Sequence, residues 1–348
     1  MAFRLSAFYF LFFAHAGAYV AYFPLYLASR DLSAVEIAWV LALPALARIV
    51  APAAWGWLAD RTGAHRGIVT FSCATTALAF GALPFTENIA WVIGMMSVLS
   101  AGALPLVEAI TLGSLAGQPG KYGPIRLWGS VGFLATVLGG GAWLDRQPVA
   151  TVPWAIAAFM LAALAAALLL PRGRTHDVAQ RVPLHLTPEI RALLAAGFCN
   201  AVAHGALYAF LSLHLEREGY SGTMIGVLWT LGVAAEIVVF LYLPQLFRRF
   251  SLSTILVFSL ASGVVRFLAI GWVPGELWVV LLAQLLHAAT FGSFHAAAVA
   301  AVHRVCPEAA QARGQTLFSS VSYGAGAAAG LIVAGWAWEA GGARLAFT

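Results

Sequence analysis

Ionisable side chains interrupt long apolar stretches of this sequence, and their types decide what chemistry they could do. The eight residues in such surroundings are Arg48, Glu108, Glu236, Arg266, His15, His204, His287 and His295. If the stretches cross a bilayer, each charge costs at least roughly 2.5–3.5 kcal/mol to bury, so it is normally paired or faces a watery cavity. These residues therefore indicate a path for a solute or an ion, with a structural ion pair, such as Glu236 with Arg266, as the alternative.

The residue types assign different roles. Arginine stays protonated in proteins, so Arg48, Arg126 and Arg266 are fixed positive charges that can hold a carboxylate through two hydrogen bonds. A glutamate in low-dielectric surroundings can carry a proton near neutral pH, which makes Glu108 and Glu236 candidates for proton loading. Histidine needs only a small change of surroundings to titrate in the same range. Fixed arginines beside titratable carboxylates are the parts of a proton-coupled carrier, whereas a channel would need rings of like groups along one pore.

The composition explains why the apolar stretches must lie in a membrane. Only 9% of the 348 residues are charged, against about 25% in a soluble globular protein, so the chain has too few charges to cover a soluble surface. Hydrophobic residues make up 61% of the chain, which also excludes a disordered protein. The sequence therefore predicts a polytopic α-helical membrane protein.

Apolar runs of membrane-spanning length recur along the whole chain, and each must be a helix because a bilayer core has no water to satisfy open backbone groups. The predicted spans are 5–28, 34–58, 68–86, 90–113, 125–143, 150–170, 191–214, 222–243, 252–273, 277–301 and 314–338. A basic connector at 171–190 separates an N-terminal bundle at 1–170, with six spans, from a C-terminal bundle at 191–348, with five. Two parallel repeats of six helices are a common arrangement. We therefore expect two six-helix bundles, with the twelfth helix missing from this chain.

Lysine and arginine are unequally divided between the two sides of the predicted membrane. With the N-terminus inside, 13 of the 19 lie on the inner side, 4 lie on the outer side and two lie within spans. The positive-inside rule then predicts a multi-pass protein of the inner (cytoplasmic) membrane with a cytoplasmic N-terminus and connector. The same bias accounts for the net charge of +5 without a nucleic-acid partner.

The loop after the second predicted span carries a motif. Residues 56–66 read GWLADRTGAHR, which resembles the G-x-x-x-D-(R/K)-x-G-x-(R/K) loop of the major facilitator superfamily. That resemblance implies two helical bundles and a gate on the cytoplasmic side, in which Asp60 and Arg61 bridge neighbouring helix ends. The corresponding loop of the second half, 246–250, keeps only a basic pair. The residues that match the gating motif are Gly56, Asp60, Arg61, Gly63 and Arg66.

Five further positions resemble the lactose-permease-like proton symporters of that superfamily. Glu108 and Arg126 are 18 residues apart, which is similar to the spacing of the glutamate and arginine that bind sugar in those proteins. Glu236, Arg266 and His287 resemble the glutamate, arginine and histidine of their spans eight, nine and ten. The resemblance therefore implies a substrate-binding pair in the first half and a proton-coupling group in the second.

The segments RLWGSVGF, LWTLGVAAEIVVF, SGVVRFL and QLLHAATFGSFH resemble one branch in particular, the 3-phenylpropionate transporter family. Two positions depart from lactose permease, and the first of these departures agrees with that branch. Thr290 occupies the place of the permease's proton-carrying carboxylate, and the seventh span has no acid, His204 being its nearest titratable residue. The resemblance therefore implies an aromatic acid as the substrate and leaves proton carriage to Glu236 or Glu108, with His287.

These observations predict a secondary active transporter, and not an enzyme, that imports a small aromatic carboxylate with a proton by alternating access. The predicted substrate-binding residues are Glu108, Arg126, Tyr19, Tyr22, Trp128 and Phe291, the proton-coupling residues are Glu236, Arg266, His287 and His204, and Arg48 is a further buried charge. We expect a monomer in the lipid bilayer whose partners are a small-molecule substrate and the proton, with no cofactor beyond that coupling ion.

Other functions stay open at this point. The spacing of Glu108 and Arg126 also favours a symporter of a sugar or a nucleoside, and a drug efflux carrier or a non-transporting sensor has the same composition. An intramembrane metalloenzyme would need Glu236, His287 and His295 around one metal. The two histidines are eight residues apart, about 12 Å along a helix, so both cannot reach a metal that binds at about 2 Å, and no metal is expected.

Overall fold

The computed structural model describes residues 1–115, 119–171 and 184–348. Within these residues eleven helices are long and apolar enough to cross a membrane, and no strand is present. The eleven helices are α1 Ala2–Ser29, α2 Ala34–Thr62, α3 His65–Phe85, α4 Ile89–Ser114, α5 Tyr122–Leu144, α6 Val149–Leu168, α7 Pro188–Arg217, α8 Gly222–Arg249, α9 Leu252–Trp272, α10 Leu277–Val305 and α11 Gln311–Ala346. The predicted all-helical class and the number of spans are confirmed. Most of the predicted connector, at 172–183, lies outside the described residues.

Several helices continue past the ends of the predicted spans. Helix α7 reaches Arg217 instead of 214, α8 reaches Arg249 instead of 243, and α11 reaches Ala346 instead of 338. The hydropathy pattern stops at the first polar residues, but backbone hydrogen bonding does not. Long arginine side chains keep their apolar stems along the helix while the guanidinium reaches water, so the helix can extend beyond the hydrocarbon layer.

Short polar residues set the ends of several helices. The side chains of Thr187, Ser221 and Ser251 each accept a hydrogen bond from a backbone N–H of the first turn that follows, at the starts of α7, α8 and α9. Such caps satisfy groups that have no partner within the helix. At the end of α2, Gly63 adopts a φ of 67° and its N–H bonds to the Ala59 carbonyl. Glycine reaches this left-handed conformation without steric cost, which turns the chain sharply into α3.

The chain forms two compact units, and the first part of α2 belongs to the second of them. The first unit contains Met1–Leu32 and Leu46–Val178. In it α1 packs against α5 and α6, and α3 packs against α6, around a core of large apolar side chains. Arg4 and Arg66 donate hydrogen bonds to the carbonyls of Leu169 and Leu170, just past the end of α6. Cations are favourable at this end of a helix, because its last carbonyls lack partners.

The second unit contains Ser33–Ala45 and Ala179–Thr348. Its helices α7 and α11 approach each other closely at glycines, since a Cβ on Gly326 would lie 2.9 Å from the Phe198 carbonyl oxygen and one on Gly330 would overlap the Val202 carbonyl. Small residues allow this approach in membrane helices, where van der Waals contact drives association. The close crossing fixes the position of α11 against α7.

Gly330→Ala is therefore expected to lower the midpoint of thermal unfolding of the purified protein in detergent. The added methyl group must displace the α7 backbone, and overpacking of this kind costs about 1–3 kcal/mol. Gly139→Ala, on α5, is the matched control, because a Cβ at that position meets nothing within 4 Å. Equal midpoints for the two variants would contradict the close crossing.

Candidate functional site

The first unit brings Glu108 and Arg126 together, as their spacing predicts. Arg126 lies in the second turn of α5, and its Nε is 3.9 Å from the Oε1 of Glu108 on α4. The two side chains are 29% and 37% exposed, and the hydroxyl of Tyr122 lies near both charged groups. The contact runs through Nε at a long distance and is not a bidentate pair. Arg126 can therefore still receive a second carboxylate.

Two aromatic rings on α1 flank this arginine. The guanidinium carbon of Arg126 is 4.1 Å from the centre of the Phe13 ring and 5.4 Å from that of Tyr9. Tyr9 also forms a 3.2 Å hydrogen bond with the Thr111 hydroxyl, which joins α1 to α4. The sequence analysis missed both rings. Their spacing of four residues places them on one helix face, but only the structure shows that this face meets Arg126.

The other predicted ring-binding residues of this unit have mainly packing contacts. Tyr22 is buried and its hydroxyl donates to the Val137 carbonyl, which ties α1 to α5. Tyr19 stacks on Phe23 with ring centres 5.0 Å apart, and its buried hydroxyl has no hydrogen-bond partner among the described residues. Trp128 is 49% exposed and lies two positions from Arg126, which directs the two side chains to nearly opposite sides of α5. The structure thus leaves Tyr19 as the unit's better candidate for a polar contact with a solute.

One prediction about this unit is wrong. Arg48 was expected to be a buried charge, but its side chain is exposed on α2. Its neighbours Ile49 and Val50 are exposed as well, and Arg48 lies within electrostatic reach of Tyr19 on α1. An apolar run shows that a residue lies in a span but not which face of the helix is packed.

The predicted gating loop is held by local contacts. Asp60 lies 3.5 Å from the His65 ring nitrogen, and Arg61 lies over the Trp57 ring at 5.4 Å. Arg66 is the loop residue that reaches another helix end of this unit, through its bond to Leu170. A Cβ on Gly56 would meet nothing within 4 Å, so no contact accounts for this glycine. The bridging role implied for Asp60 and Arg61 stays a prediction.

In the second unit Arg266 is closed off from solvent and held by neutral groups. It is 1% exposed, and its three nitrogens donate to the Ala283 carbonyl, the Thr290 hydroxyl and the Gln284 side-chain oxygen at 3.0–3.1 Å. The structural ion pair between Glu236 and Arg266, considered above, is not formed, because α10 supplies these acceptors instead. Gln284 was missed by the sequence analysis. Arg266 is therefore a fixed positive charge whose three nitrogens already donate hydrogen bonds, so it is not available to bind a substrate carboxylate.

Glu236 pairs with His287 instead. The Oε2 of Glu236 on α8 is 3.6 Å from the Nε2 of His287 on α10, and both side chains are largely buried. Gly292 makes room for this arrangement, since a Cβ there would lie 2.7 Å from the Cγ of Glu236. The ring of His204 lies 6.2 Å from that of His287 and donates through Nδ1 to the Asn200 carbonyl, which leaves Nε2 as an acceptor. The predicted proton-coupling residues thus form one cluster.

A π-helical segment, Ala288–Ser293, shapes the neighbouring part of α10. Segments of this kind occur often at functional sites. Phe291 lies in it and stacks on His287, with ring centres 5.4 Å apart and planes 11° apart. One turn further, His295 forms a 2.7 Å hydrogen bond with the Tyr323 hydroxyl of α11. Phe291 was predicted as a substrate contact, whereas Tyr323 gave no signal in the sequence.

Within the described residues, no group of three or more histidine, cysteine, aspartate or glutamate side chains could hold a metal ion. The Glu236–His287 pair combines a carboxylate with an imidazole, and these two groups can share one proton. Arg266, Gln284 and Thr290 add a positive charge beside it without adding a second acid. The second unit therefore contains a carboxylate–imidazole pair beside a fixed positive charge, and the first contains a partly open arginine.

The profile of the MFS_1 like family matches residues 2–348. The maltose permease of Geobacillus stearothermophilus is 29% identical over 355 residues, which cover 98% of this chain and 89% of the relative. The probable 3-phenylpropionic acid transporter of Escherichia coli strain K12 is 29% identical over 263 residues, which cover 72% of this chain and 69% of the relative.

Solved structures show the same fold at lower identity. The crystal structure of a point mutant of the nucleoside transporter NupG superimposes with a TM-score of 0.90 and 17% identity, covering 99% of this chain and 94% of that one. A transporter of the POT family in complex with 5-aminolevulinic acid gives a TM-score of 0.76 and 12% identity over 99% of this chain and 91% of that one. These likenesses concern the fold alone.

Proposed function

We propose that this chain, which belongs to the MFS_1 like family and is a multi-pass secondary transporter of that type, imports a small aromatic carboxylate together with a proton. The proposal rests on the contacts of the Arg126 guanidinium. Its contact with Glu108 is long and runs through Nε alone, so the planar fork that suits a carboxylate is not consumed by an internal acid. Arg266 is excluded from this role by its burial and its three internal acceptors.

Coupling to the proton rests on the second unit. Glu236 and His287 lie 3.6 Å apart in surroundings from which water is largely excluded, where a carboxylate is readily neutralised. His204 lies behind this pair and Phe291 covers one face of His287. We assign proton binding to Glu236 with His287, and no cofactor other than this coupling ion.

The remaining parts of the proposal concern how the protein works in the membrane. Transport proceeds by alternating access, as in other carriers built from helical repeats, with the loop from Gly56 to Arg66 as a gate on the cytoplasmic side. The excess of lysine and arginine in the loops of that side supports a cytoplasmic N-terminus in the inner membrane. The protein acts as a monomer.

A sugar is the second candidate substrate, and a specific observation favours it. The maltose permease relative covers 98% of this chain, and Glu108 beside Arg126 offers an acceptor and donors that would suit sugar hydroxyls. The aromatic acid is supported by the second relative, a probable 3-phenylpropionic acid transporter, which is also 29% identical but over 72% of this chain.

Uptake into proteoliposomes distinguishes the two substrates. The purified protein is reconstituted into liposomes, and a proton gradient is imposed with the outside acidic. Entry of radiolabelled 3-phenylpropionate or maltose is then followed with and without a protonophore. We expect accumulation of 3-phenylpropionate that collapses with the protonophore and exceeds passive entry into protein-free liposomes. Gradient-driven accumulation of maltose alone would replace the aromatic acid by the sugar. Entry of either solute that does not respond to the gradient would remove the proton from the proposal.

A further inference from the structure

The guanidinium of Arg126 lies against the ring of Phe13, a residue for which the sequence predicted no role. Phe13 of α1 is 4.1 Å from the guanidinium carbon, whereas the Tyr9 ring is at 5.4 Å and the nearest Glu108 oxygen is 3.9 Å from Nε. A guanidinium is planar and weakly hydrated, so it stacks well on an aromatic face. The attraction between a cation and a ring is significant within about 6 Å of the ring centre. Of the two rings beside this charge, Phe13 is therefore the nearer, and the polar partners are Glu108 and the Tyr122 hydroxyl.

The surrounding residues keep the stack in place. Gly129 lies one turn after Arg126 on α5, and a Cβ there would be 2.7 Å from the Nη1 of Arg126 and 2.8 Å from the Cδ2 of Phe13. Both side chains thus fill the space that this glycine leaves. The approach of α1 to α5 continues at Gly132, where a Cβ would overlap the Phe10 carbonyl. The backbone holds Phe13 at a fixed distance from Arg126.

The other partners of Arg126 are less suited to orient it. Glu108 and Arg126 are both partly exposed, and an exposed ion pair at this distance restrains a long side chain only weakly. The Tyr122 hydroxyl interacts with both Arg126 and Glu108, but contact with a single hydroxyl does not fix the plane of a guanidinium. Tyr9 is farther away and its hydroxyl is engaged with Thr111. A flat ring against a flat cation, by contrast, restrains the plane of the guanidinium and leaves its edge available for in-plane hydrogen bonds to a carboxylate.

We propose that Phe13 is a positioning residue that holds the guanidinium plane of Arg126 for the substrate carboxylate. This inference rests on the proposed role of Arg126 as the carboxylate anchor. It predicts that what matters at position 13 is an aromatic face and not apolar volume. Phe13 contacts the arginine, so its loss affects affinity for the carboxylate more than turnover.

The test compares Phe13→Leu, which removes the ring, with Phe13→Tyr, which keeps it. We expect Phe13→Leu to raise the KM for 3-phenylpropionate uptake about five- to tenfold, with kcat within about twofold of the starting protein, and Phe13→Tyr to retain the original KM. If Phe13→Leu does not fold, as judged by size-exclusion chromatography, Phe13→Met provides the same comparison with nearly conserved volume. Equal KM values for the variants with and without the ring would overturn the proposal.

A second measurement needs no substrate. The rate at which phenylglyoxal modifies Arg126 is followed by mass spectrometry of the digested protein, with Arg217, which lies over Trp338 at 5.3 Å, as the internal reference. We expect faster modification of Arg126 in Phe13→Leu and an unchanged rate in Phe13→Tyr. An unchanged rate in Phe13→Leu would overturn the positioning role. If no variant or starting protein takes up 3-phenylpropionate, the proposed substrate fails while this measurement still decides the role of Phe13.

Discussion

Glu236→Gln is expected to abolish accumulation of the substrate against its gradient while leaving exchange of internal for external substrate intact. Glutamine has almost the same shape as glutamate and can keep its place beside His287, 3.6 Å away, but it cannot release or take up a proton. Net uphill uptake requires the empty carrier to return with its proton-binding group in the other state, whereas exchange does not. We expect at least a tenfold, or about 1.4 kcal/mol, loss in the accumulation ratio in proteoliposomes.

The matched control for this prediction is Glu339→Gln, the same change at an exposed glutamate of α11. It removes a carboxylate from a membrane-spanning helix without touching the cluster around His287, and both activities should stay unchanged. Retention of uphill accumulation by Glu236→Gln would show that the proton binds elsewhere. Loss of exchange as well as accumulation would show that Glu236 contributes to substrate binding or to folding, and both outcomes contradict a role confined to coupling.

The residues that the sequence identified are charged or titratable groups in apolar helices, where polar residues are costly, so few alternatives existed. The resemblance to the lactose-permease-like symporters implied the pairing of Glu108 with Arg126. The pairing of Glu236 with His287, in place of Arg266, became visible only in the structure. The prediction for Arg48 was wrong, and several contacting residues were not predicted, for a different reason. Arg48, Phe13, Gln284 and Tyr323 depend on which face of a helix is packed, and an all-apolar helix carries little periodic signal for its rotation.

The neutral surroundings of Arg266 illustrate the same limit. The resemblance to lactose permease implied that Thr290 stands in the place of an acid, which removed one partner for a buried arginine. It did not show that Gln284 and a backbone carbonyl complete the set. Neutral acceptors can hold a buried guanidinium provided that its donors are satisfied, and whether they are is a matter of packing. The consequence for function is that the two predicted arginines are not equivalent.

Arg126→Lys is expected to lower kcat/KM for 3-phenylpropionate about 10- to 100-fold while the protein remains folded. Lysine keeps the positive charge but has no planar fork, so at most one of two charge-assisted hydrogen bonds survives, each contributing about 1.5–3 kcal/mol. It also loses the stack on Phe13, which lies 4.1 Å from the guanidinium. The effect should appear mainly in KM, measured in initial-rate uptake assays. An uncharged analogue, 3-phenylpropanol, should compete for uptake equally well before and after the change.

Arg146→Lys, at an exposed arginine just after α5, is the matched control and should leave uptake unchanged. Normal transport by Arg126→Lys would remove Arg126 as the anchor, and the closed surroundings of Arg266 would then leave the carboxylate without a described receptor. In that case the two parallel donors of the guanidinium are not needed, and the pairing of Arg126 with Glu108 would favour a sugar over an aromatic acid as the substrate. The same variant assayed with maltose separates these two explanations, because a sugar-binding pair would lose maltose uptake when Arg126 is replaced.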